Sequence, residues 1–193
     1  MKIYTKTGDD GSTSLGFGKR IPKCDFNIQS LGDLDELNSN IGFLLSLIKD
    51  DSPQYNNESF VNFLKKTQNI IFDMGTFIAY PKKTGDVDNF NQFISEEISY
   101  MESEIDRLTE QLPALRAFIL PGGDKITSYL HIVRSVCRRS ERSLVAIQCS
   151  NEYILKFINR FSDYCFTLAR YVQWKYNPID KEVIYMNWQK RDS

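Results

Sequence analysis

Apolar residues recur with the period of an α-helix over most of the chain, from about residue 33 to residue 176. Five segments show this pattern, and proline, glycine or several polar residues separate each segment from the next. The pattern predicts helices over residues 33–49, 59–79, 90–112, 124–148 and 152–176. Such a series of helices predicts an all-α fold, a bundle of five helices.

Particular residues mark the expected helix ends. Asp33 is followed three residues later by Glu36, which is the spacing of a capping box, so the first helix is expected to begin at Asp33. Pro113 is expected to end the third helix, and Asp124 to cap the fourth. Pro178 follows the fifth helix and is expected to stop it.

The length of 193 residues predicts a single domain. The expected parts are an N-terminal loop over 1–30, a helical bundle over 31–178 and a tail over 179–193. The tail is expected to add a short strand at 183–185 or to stay extended. Because the net charge is −1 and no apolar run approaches the roughly 18 residues of a membrane span, neither nucleic acid nor membrane is an expected partner.

The chain has four cysteines and one histidine, and no C-x-x-C pair. This composition disfavours a zinc site or a disulfide framework and favours a reducing compartment. The first residues do not resemble a signal peptide. A cytoplasmic location is therefore expected, with the mature form of an organelle protein as the alternative.

Arginines form one face of the predicted fourth helix. Arg134, Arg138 and Arg142 are spaced at i, i+4 and i+8, and Glu141 lies beside them. The planar arginine fork suits a phosphate or a carboxylate. A solvated basic face and a set of salt bridges between helices are the structural alternatives. Because most of this helix is apolar, we expect the arginines to lie in a cleft or an interface.

The N-terminal segment is rich in glycine, serine, threonine and lysine. Gly8 and Gly11 can let backbone N–H groups converge on an anion, and Lys6 adds a positive donor. The segment is not a Walker A loop, because Phe17 and Gly18 stand where that motif has Lys and Ser or Thr. An anion site is one interpretation, and a flexible N-terminal arm is the other.

Four further residues have both a functional and an ordinary structural interpretation. Asp35 is a candidate partner for one of the arginines or a residue near a helix start, and Asn159 is a polar position on the last helix. Phe118 fits a core or turn aromatic. His131 lies one turn before the first arginine of the face, where a structural hydrogen bond is its ordinary role.

Taken together, five segments resemble the PduO-type ATP:cob(I)alamin adenosyltransferases. The matching segments are 4–11, 32–38, 118–123, 130–142 and 159–164. Each is a weak signal alone, but all five occur in the order of that family and cover nearly the whole chain. Four positions depart from its commonest pattern: Ser140 stands for Ala, Ser135 for Thr and Tyr129 for a smaller residue, and Phe17 places an aromatic in the loop between Gly16 and Gly18.

The resemblance implies a ferritin-like, cobalamin adenosyltransferase-like bundle that assembles as a homotrimer with active sites between subunits. It implies catalytic roles for Asp35 and Arg134 as an intersubunit ion pair, for Arg138, and for Phe118 as the aromatic that packs on the corrin and displaces its lower axial ligand. The implied ATP contacts are Thr5, Lys6, Thr7, Gly8, Thr13, Ser14, Lys23, Arg138, Arg139, Ser140, Glu141, Arg142 and Asn159.

The family also implies the chemistry. The Co(I) of cob(I)alamin, formed by reduction of cob(II)alamin, attacks C5′ of ATP, adenosylcobalamin forms, and triphosphate leaves. The substrate cobalt is the nucleophile, so no Ser, Cys or His nucleophile is needed. Mg²⁺ is the expected ion with ATP and K⁺ a further candidate, with no metal ligands assigned. A flavin reductase and an adenosylcobalamin-dependent enzyme are the expected partners.

Two other classes of function stay open at this point. One is a corrinoid carrier or nucleotide-gated chaperone without catalysis on the same bundle. The other is a structural helical protein whose basic helix binds an acidic partner. A ferritin-like di-metal bundle is disfavoured, because the sequence has no Glu-x-x-His motif.

Overall fold

The computed structural model describes residues 2–18, 20–51, 58–80 and 87–177. Its helices are α1 (Phe26–Asp51), α2 (Glu58–Ala79), α3 (Val87–Thr109), α4 (Lys125–Ala146) and α5 (Glu152–Tyr176). Two antiparallel strands, β1 (Ser12–Ser14) and β2 (Arg20–Pro22), precede the helices. The predicted all-α class with five helices is confirmed, and a small N-terminal hairpin is added to it.

The predicted start of the first helix is wrong, because α1 begins at Phe26 and not at Asp33. The cap is Asp25, whose carboxylate accepts a hydrogen bond from Asn27 N at 2.8 Å while its carbonyl oxygen accepts one from Gln29 N at 3.0 Å. Asp33 is 4% exposed about two turns inside the helix. Its i, i+3 spacing to Glu36 therefore joins two neighbours on a helix surface and is not a capping box.

The other helix boundaries follow the sequence more closely. The fifth helix covers the predicted residues, and the second begins one residue early, at Glu58. Helix α3 ends at Thr109, three residues before the predicted end at 112. Pro113 disfavours a helical conformation at the residue before it, which fits an end before 112. Asp124 caps α4 as predicted, accepting from Thr127 N at 2.7 Å. The predicted tail, 179–193 with its strand at 183–185, lies outside the described residues.

Helix α4 occupies the middle of the bundle, since it packs against both α1 and α5. Helix α3 covers α5 on the far side, and α2 covers α1. The core between them contains large buried aromatic rings, including Phe157, Phe161 and Tyr164. Because α4 is covered on two sides, it leaves one exposed stripe along its length. That stripe consists of Ile132, Ser135, Arg138, Arg142 and Val145.

The N-terminal segment contacts the bundle at Gly16, in the single turn of 3-10 helix between the strands. A Cβ atom at this position would overlap the aromatic ring of Tyr80, the residue that follows α2. Gly16 therefore lets the hairpin approach the end of α2 more closely than any other residue would allow. Within the described ranges, no helix is long and apolar enough to cross a membrane.

Candidate functional site

The N-terminal loop, residues 4–14, makes a tight turn whose polar groups converge. Gly11 N donates to the Gly8 carbonyl oxygen at 3.3 Å, and the hydroxyls of Thr5 and Thr7 lie 2.9 Å apart. Lys6 has a φ of 61°, a left-handed conformation that few residues with a side chain adopt. Turns of this kind point successive backbone N–H groups toward one place and so favour an anion there.

Lys23 brings a second ammonium group to the same turn. Its backbone N–H donates to the Gly11 carbonyl oxygen at 2.9 Å, directly after β2. Its side chain lies over Gly8, where an added Cβ would be 3.2 Å from Lys23 Nζ. The structure thus brings together Thr5, Thr7, Gly8 and Lys23, four of the residues predicted to contact ATP. Of the other two predicted loop contacts on β1, Thr13 is half-buried and Ser14 is exposed.

Arg20 also belongs to the loop, because its side chain reaches from β2 to the turn. Its guanidinium Nη2 donates to the Thr7 carbonyl oxygen at 2.6 Å and to an Asp10 carboxylate oxygen at 3.0 Å, and it contacts the Ser12 hydroxyl. The contact to Thr7 spans 13 residues of sequence. Only the hairpin brings these groups together, so no spacing in the sequence signals this contact.

The exposed stripe of α4 carries two of the predicted phosphate-binding arginines. Arg138 and Arg142 are exposed, and Arg142 Nη1 donates to the Arg138 carbonyl oxygen at 3.1 Å. In the described part of the chain, no carboxylate lies within ion-pair distance of either guanidinium. On the neighbouring turn of α5, Asn159 Nδ2 donates to Glu141 Oε1 at 2.9 Å. This surface therefore offers two positive groups beside a fixed amide and carboxylate.

Arg139 and Ser140 face the opposite way and join α4 to α1. Arg139 Nε lies 3.2 Å from Asp33 Oδ1, and its Nη2 pairs with Glu36. The hydrogen bond that Arg139 donates to Glu36, followed by the charges of both carboxylates, raises the pKa of Arg139. Ser140 is fully buried and donates to the Asp33 carbonyl oxygen at 2.9 Å. The hydroxyl of Ser140 is thus used within the fold, and its contact with ATP stays a prediction.

Asp35 does not pair with an arginine of its own chain. It is exposed on α1, and no described cation lies within ion-pair distance of its carboxylate. The ion pairs between α1 and α4 are instead those of Arg139 with Asp33 and Glu36. Arg134 is half-buried, and its Nε atom is buried without a hydrogen-bond partner. The ion pair of Asp35 with Arg134 between subunits stays a prediction.

Phe118 is 81% exposed, in the connection between α3 and α4. The alternative that it is a core aromatic is therefore wrong. The start of this connection is fixed by Arg170, whose Nη2 donates to the Pro113 carbonyl oxygen at 2.9 Å. Because most of the Phe118 side chain is exposed to solvent, its ring is available to contact a large apolar ligand.

His131 is 5% exposed within α4, and its Nδ1 atom has no hydrogen-bond partner in the described structure. The ordinary expectation of a structural hydrogen bond is not met at this atom. Burial, with a smaller contribution from Arg134, lowers the pKa of His131 to about 4. The imidazole is therefore neutral near pH 7 and does not act as a proton donor there.

Two relationships limit how these groups can act together. Among the residues that the structure describes, no hydrogen bond or ion pair joins the N-terminal loop to Arg138 or Arg142, and the bonds of the loop stay within residues 5–25. Across the described ranges, no three His, Cys, Asp or Glu side chains form a group that could hold a metal ion. Within the described residues, the loop and the exposed stripe of α4 therefore have separate hydrogen-bond networks.

The fold is a five-helix bundle with positively charged side chains on an N-terminal loop and on the exposed stripe of a central helix. The family model for cobalamin adenosyltransferase matches residues 3–172. The chain belongs to the cobalamin adenosyltransferase family, and the predicted class of enzyme, an ATP-dependent corrinoid adenosyltransferase, is confirmed.

Individual relatives agree with the family assignment. The human corrinoid adenosyltransferase MMAB is 43% identical over 190 residues, which are 96% of this chain and 73% of the relative. The corrinoid adenosyltransferase of Bacillus subtilis is 41% identical over 175 residues, covering 89% and 86% of the two chains. A variant of the PduO-type ATP:corrinoid adenosyltransferase from Lactobacillus reuteri, solved with cobalamin and ATP, has a TM-score of 0.82 at 34% identity. The structural match covers 96% of this chain and 97% of the Lactobacillus reuteri chain.

Proposed function

We propose that this protein transfers the 5′-deoxyadenosyl group of ATP to the cobalt of cob(I)alamin and releases triphosphate. The observation that carries the residue assignment is the exposure of Arg138 and Arg142 on α4 without a carboxylate partner among the described residues. Two like charges on one helix face repel each other, and an anionic ligand relieves this repulsion. The triphosphate of ATP is a ligand of the required charge.

The protein residues act on the nucleotide and leave the bond-forming step to the corrinoid substrate. The cobalt supplies the electron pair that attacks C5′, and the bond from C5′ to the triphosphate oxygen breaks. Lys6, Lys23 and the backbone N–H groups near Gly8 bind the triphosphate, and Arg138 stabilises the negative charge that it gains on leaving. Holding C5′ in line with the cobalt is the second contribution of the site.

The loop and the helix surface belong to neighbouring subunits of a homotrimer in this proposal. Support comes from the separation of the two surfaces within one chain, since no described bond joins the loop to Arg138 or Arg142. Further support comes from Asp35 and Arg134: one carboxylate is exposed without a described cation, and the Nε of Arg134 is buried without a hydrogen-bond partner. A subunit contact that joins this carboxylate to this guanidinium would satisfy both groups.

Different roles follow for the remaining predicted residues. Phe118 is assigned to the corrin, where an exposed aromatic ring removes water and displaces the lower axial ligand. Asn159 and Glu141 form a fixed pair beside the phosphate-binding arginines. Arg139 and Ser140 contribute indirectly, because their contacts with α1 set the position of the helix that carries Arg138.

Mg²⁺ enters the proposal as an ion carried by the phosphate oxygens, the usual position of this cation in nucleotide sites.

A reducing compartment, the cytoplasm, is proposed because all four cysteines are free thiols. The strongly reduced cobalt requires an electron donor, so a flavin reductase is a proposed partner. An adenosylcobalamin-dependent enzyme is the proposed consumer of the product.

The test is a direct assay with the protein, ATP, Mg²⁺ and cobalamin under strong reduction. We expect the absorbance of the reduced corrinoid to change to that of a light-sensitive adenosyl form, with one triphosphate released per adenosyl group. Adenosine in place of ATP is the matched control and gives no conversion. A protein that binds ATP and corrinoid without converting them would instead be the carrier or chaperone named above.

A further inference from the structure

Arg20 lies on β2, and its side chain reaches across to the N-terminal loop and contacts both ends of the turn there. One guanidinium nitrogen, Nη2, serves the Thr7 carbonyl oxygen at 2.6 Å, the Asp10 carboxylate at 3.0 and 3.3 Å, and the Ser12 hydroxyl. These acceptors lie at the two ends of the turn that contains Gly8. Arg20 is itself in the strand ladder, opposite Ser14, so its backbone is fixed independently of the turn.

Asp10 is the second half of the same arrangement. One of its carboxylate oxygens accepts from the Ser12 backbone N–H at 2.9 Å and from the Ser12 hydroxyl at 2.7 Å. These two hydrogen bonds, followed by the charge of Arg20, hold the pKa of Asp10 below its ordinary value. The carboxylate is thus ionised near pH 7 and places a negative charge next to a loop that is expected to bind an anion.

An isolated ion pair with this much exposure contributes little to global stability. Arg20 is different, because the two N–H groups of its Nη2 lie within hydrogen-bond distance of a backbone carbonyl oxygen on one side of the turn and of a carboxylate and a hydroxyl on the other. A group that bridges several parts of one turn reduces the number of conformations open to that turn. Its effect is therefore expected in the order of the loop and in ligand binding, and not in the unfolding of the helices.

The turn held by Arg20 is the one that places Gly8 beneath Lys23. Lys23 N donates to Gly11 at the end of the turn, and Lys23 Nζ lies against Gly8 in its middle. We propose that Arg20, neutralised by Asp10, is a positioning residue that holds this loop in the conformation that binds triphosphate. The inference rests on the nucleotide site proposed above, and it assigns Arg20 no direct contact with phosphate.

The sign of one substitution distinguishes a positioning role from direct phosphate binding. If Arg20 held the loop, Asp10→Ala would weaken ATP binding although it removes a negative charge from the site. If Arg20 bound phosphate directly, the same change would free its guanidinium and strengthen ATP binding. Calorimetric titration with MgATP in the absence of corrinoid measures this affinity in the full chain.

We expect Asp10→Ala and Arg20→Ala each to weaken MgATP binding by about tenfold, the effect of losing hydrogen bonds to a charged group. The double variant is expected to bind no more weakly than the weaker single variant, since both changes release the same turn. Arg20→Lys keeps a charged nitrogen, and since one nitrogen of Arg20 makes all the described contacts, this variant is expected to retain more affinity than Arg20→Ala. In turnover assays the KM for ATP rises while kcat at saturating ATP is retained.

Arg107→Ala is the matched control, because Arg107 is an exposed arginine that pairs with Glu104 at 2.8 Å on α3, away from the loop. Its affinity for MgATP is expected to equal that of the original protein.

Tighter binding by Asp10→Ala, or unchanged binding by Arg20→Ala, would overturn the positioning role alone. An original protein that binds no MgATP would overturn the nucleotide site and this inference together. Far-UV circular dichroism checks that each variant keeps its helices. If Arg20→Ala does not fold, the MgATP affinity of Asp10→Ala provides the test.

Discussion

Arg139 of α4 and Asp33 of α1 form an ion pair, with Nε and Oδ1 3.2 Å apart, next to an arginine that has no such partner in the described chain. Arg138 and Arg139 are adjacent in sequence, and the helix turns their side chains about 100° apart. One arginine is therefore used to join two helices, while the other is presented to a ligand. Substituting each in turn separates stability from activity.

Arg139→Ala is expected to lower the free energy of unfolding by about 1–3 kcal/mol, because it removes a charged partner from the buried Asp33 carboxylate. Gln29, which donates to Asp33 at 3.1 Å, remains as a partial replacement. Arg138→Ala is expected to leave the unfolding free energy within about 0.5 kcal/mol and to abolish turnover. Urea denaturation and the turnover assay measure the two quantities. Equal losses of stability in both variants would contradict this division of roles.

A site shared between subunits predicts that two inactive variants restore each other. Lys23→Ala damages the loop, and Arg138→Ala damages the helix surface. In a mixed trimer, the intact loop of one variant can meet the intact helix of the other. If the chains mix at random in equal amounts, about a quarter of the original activity is expected. The two variants are unfolded together, refolded and assayed.

Each variant refolded alone is the control for the mixing experiment. A site built within one chain would give no recovery, because every subunit would carry one damaged half. One variant carries an affinity tag, and retention of the untagged variant with it on an affinity column establishes that mixed trimers are present when the assay is read.

The close approach of Gly16 to Tyr80 predicts a steric effect on the nucleotide site. Gly16→Ala would place a methyl group within the Tyr80 ring, so the hairpin must move away from α2. We expect the KM for ATP to rise by about tenfold, since a shift of about 1 Å at a binding loop can cost this much or more. Tyr80→Ala in the same chain removes the ring but leaves the Ala79 carbonyl oxygen 2.5 Å from the added Cβ, so it is expected to restore only part of the lost affinity.

A glycine with more space serves as the control for this experiment. At Gly75 in α2 an added Cβ would be 3.6 Å from Leu31, an ordinary contact distance, so Gly75→Ala is expected to leave the KM unchanged. If Gly16→Ala behaved like Gly75→Ala, the hairpin would not depend on its approach to Tyr80.

The buried His131 predicts a pH dependence of stability. Its folded pKa of about 4 lies below the ordinary 6.5, so between these values the unfolded chain binds a proton that the folded chain does not. Stability from the neutral imidazole is complete above pH 6.5 and is lost as the pH falls toward 4. From pH 7 to pH 4.5 this loss is on the order of 2 kcal/mol.

His131→Gln removes this contribution while the carboxylates still titrate in both proteins. The difference between the two stability profiles therefore isolates the histidine. The chain has one histidine, so its imidazole gives a single set of proton resonances, whose titration midpoint in the folded protein is expected near 4. A midpoint near 6.5 would show that the ring is hydrated in solution.

The helices were predictable from the sequence because their apolar residues repeat with a strong helical period. The first turns of α1 were not, since Phe26 is 70% exposed and no apolar stripe begins there. The strands were missed because each has three residues, which is too short for a recognisable alternation. Their pairing depends on contacts across the loop that a local pattern does not contain.

For the site, the sequence indicated the residue types more reliably than the orientation of each side chain. The spacing of Arg138 and Arg142 placed both on one face, and the structure exposes both. The same reasoning could not tell that Arg139 would face α1, because this depends on which helix packs beside α4. Arg20 was missed for a related reason, since its partners Thr7 and Asp10 become neighbours only when the hairpin forms.

The hairpin of residues 12–22 closes the N-terminal loop into a unit that makes nearly all of its hydrogen bonds within itself. The hydrogen bonds of Thr5, Asp10, Arg20 and Lys23 all end within the same N-terminal stretch. Such a unit can be exchanged between homologous proteins as one piece, provided that glycine is kept at position 16. Changes within this stretch can therefore alter the loop while the contacts that hold α4 against α1 stay the same.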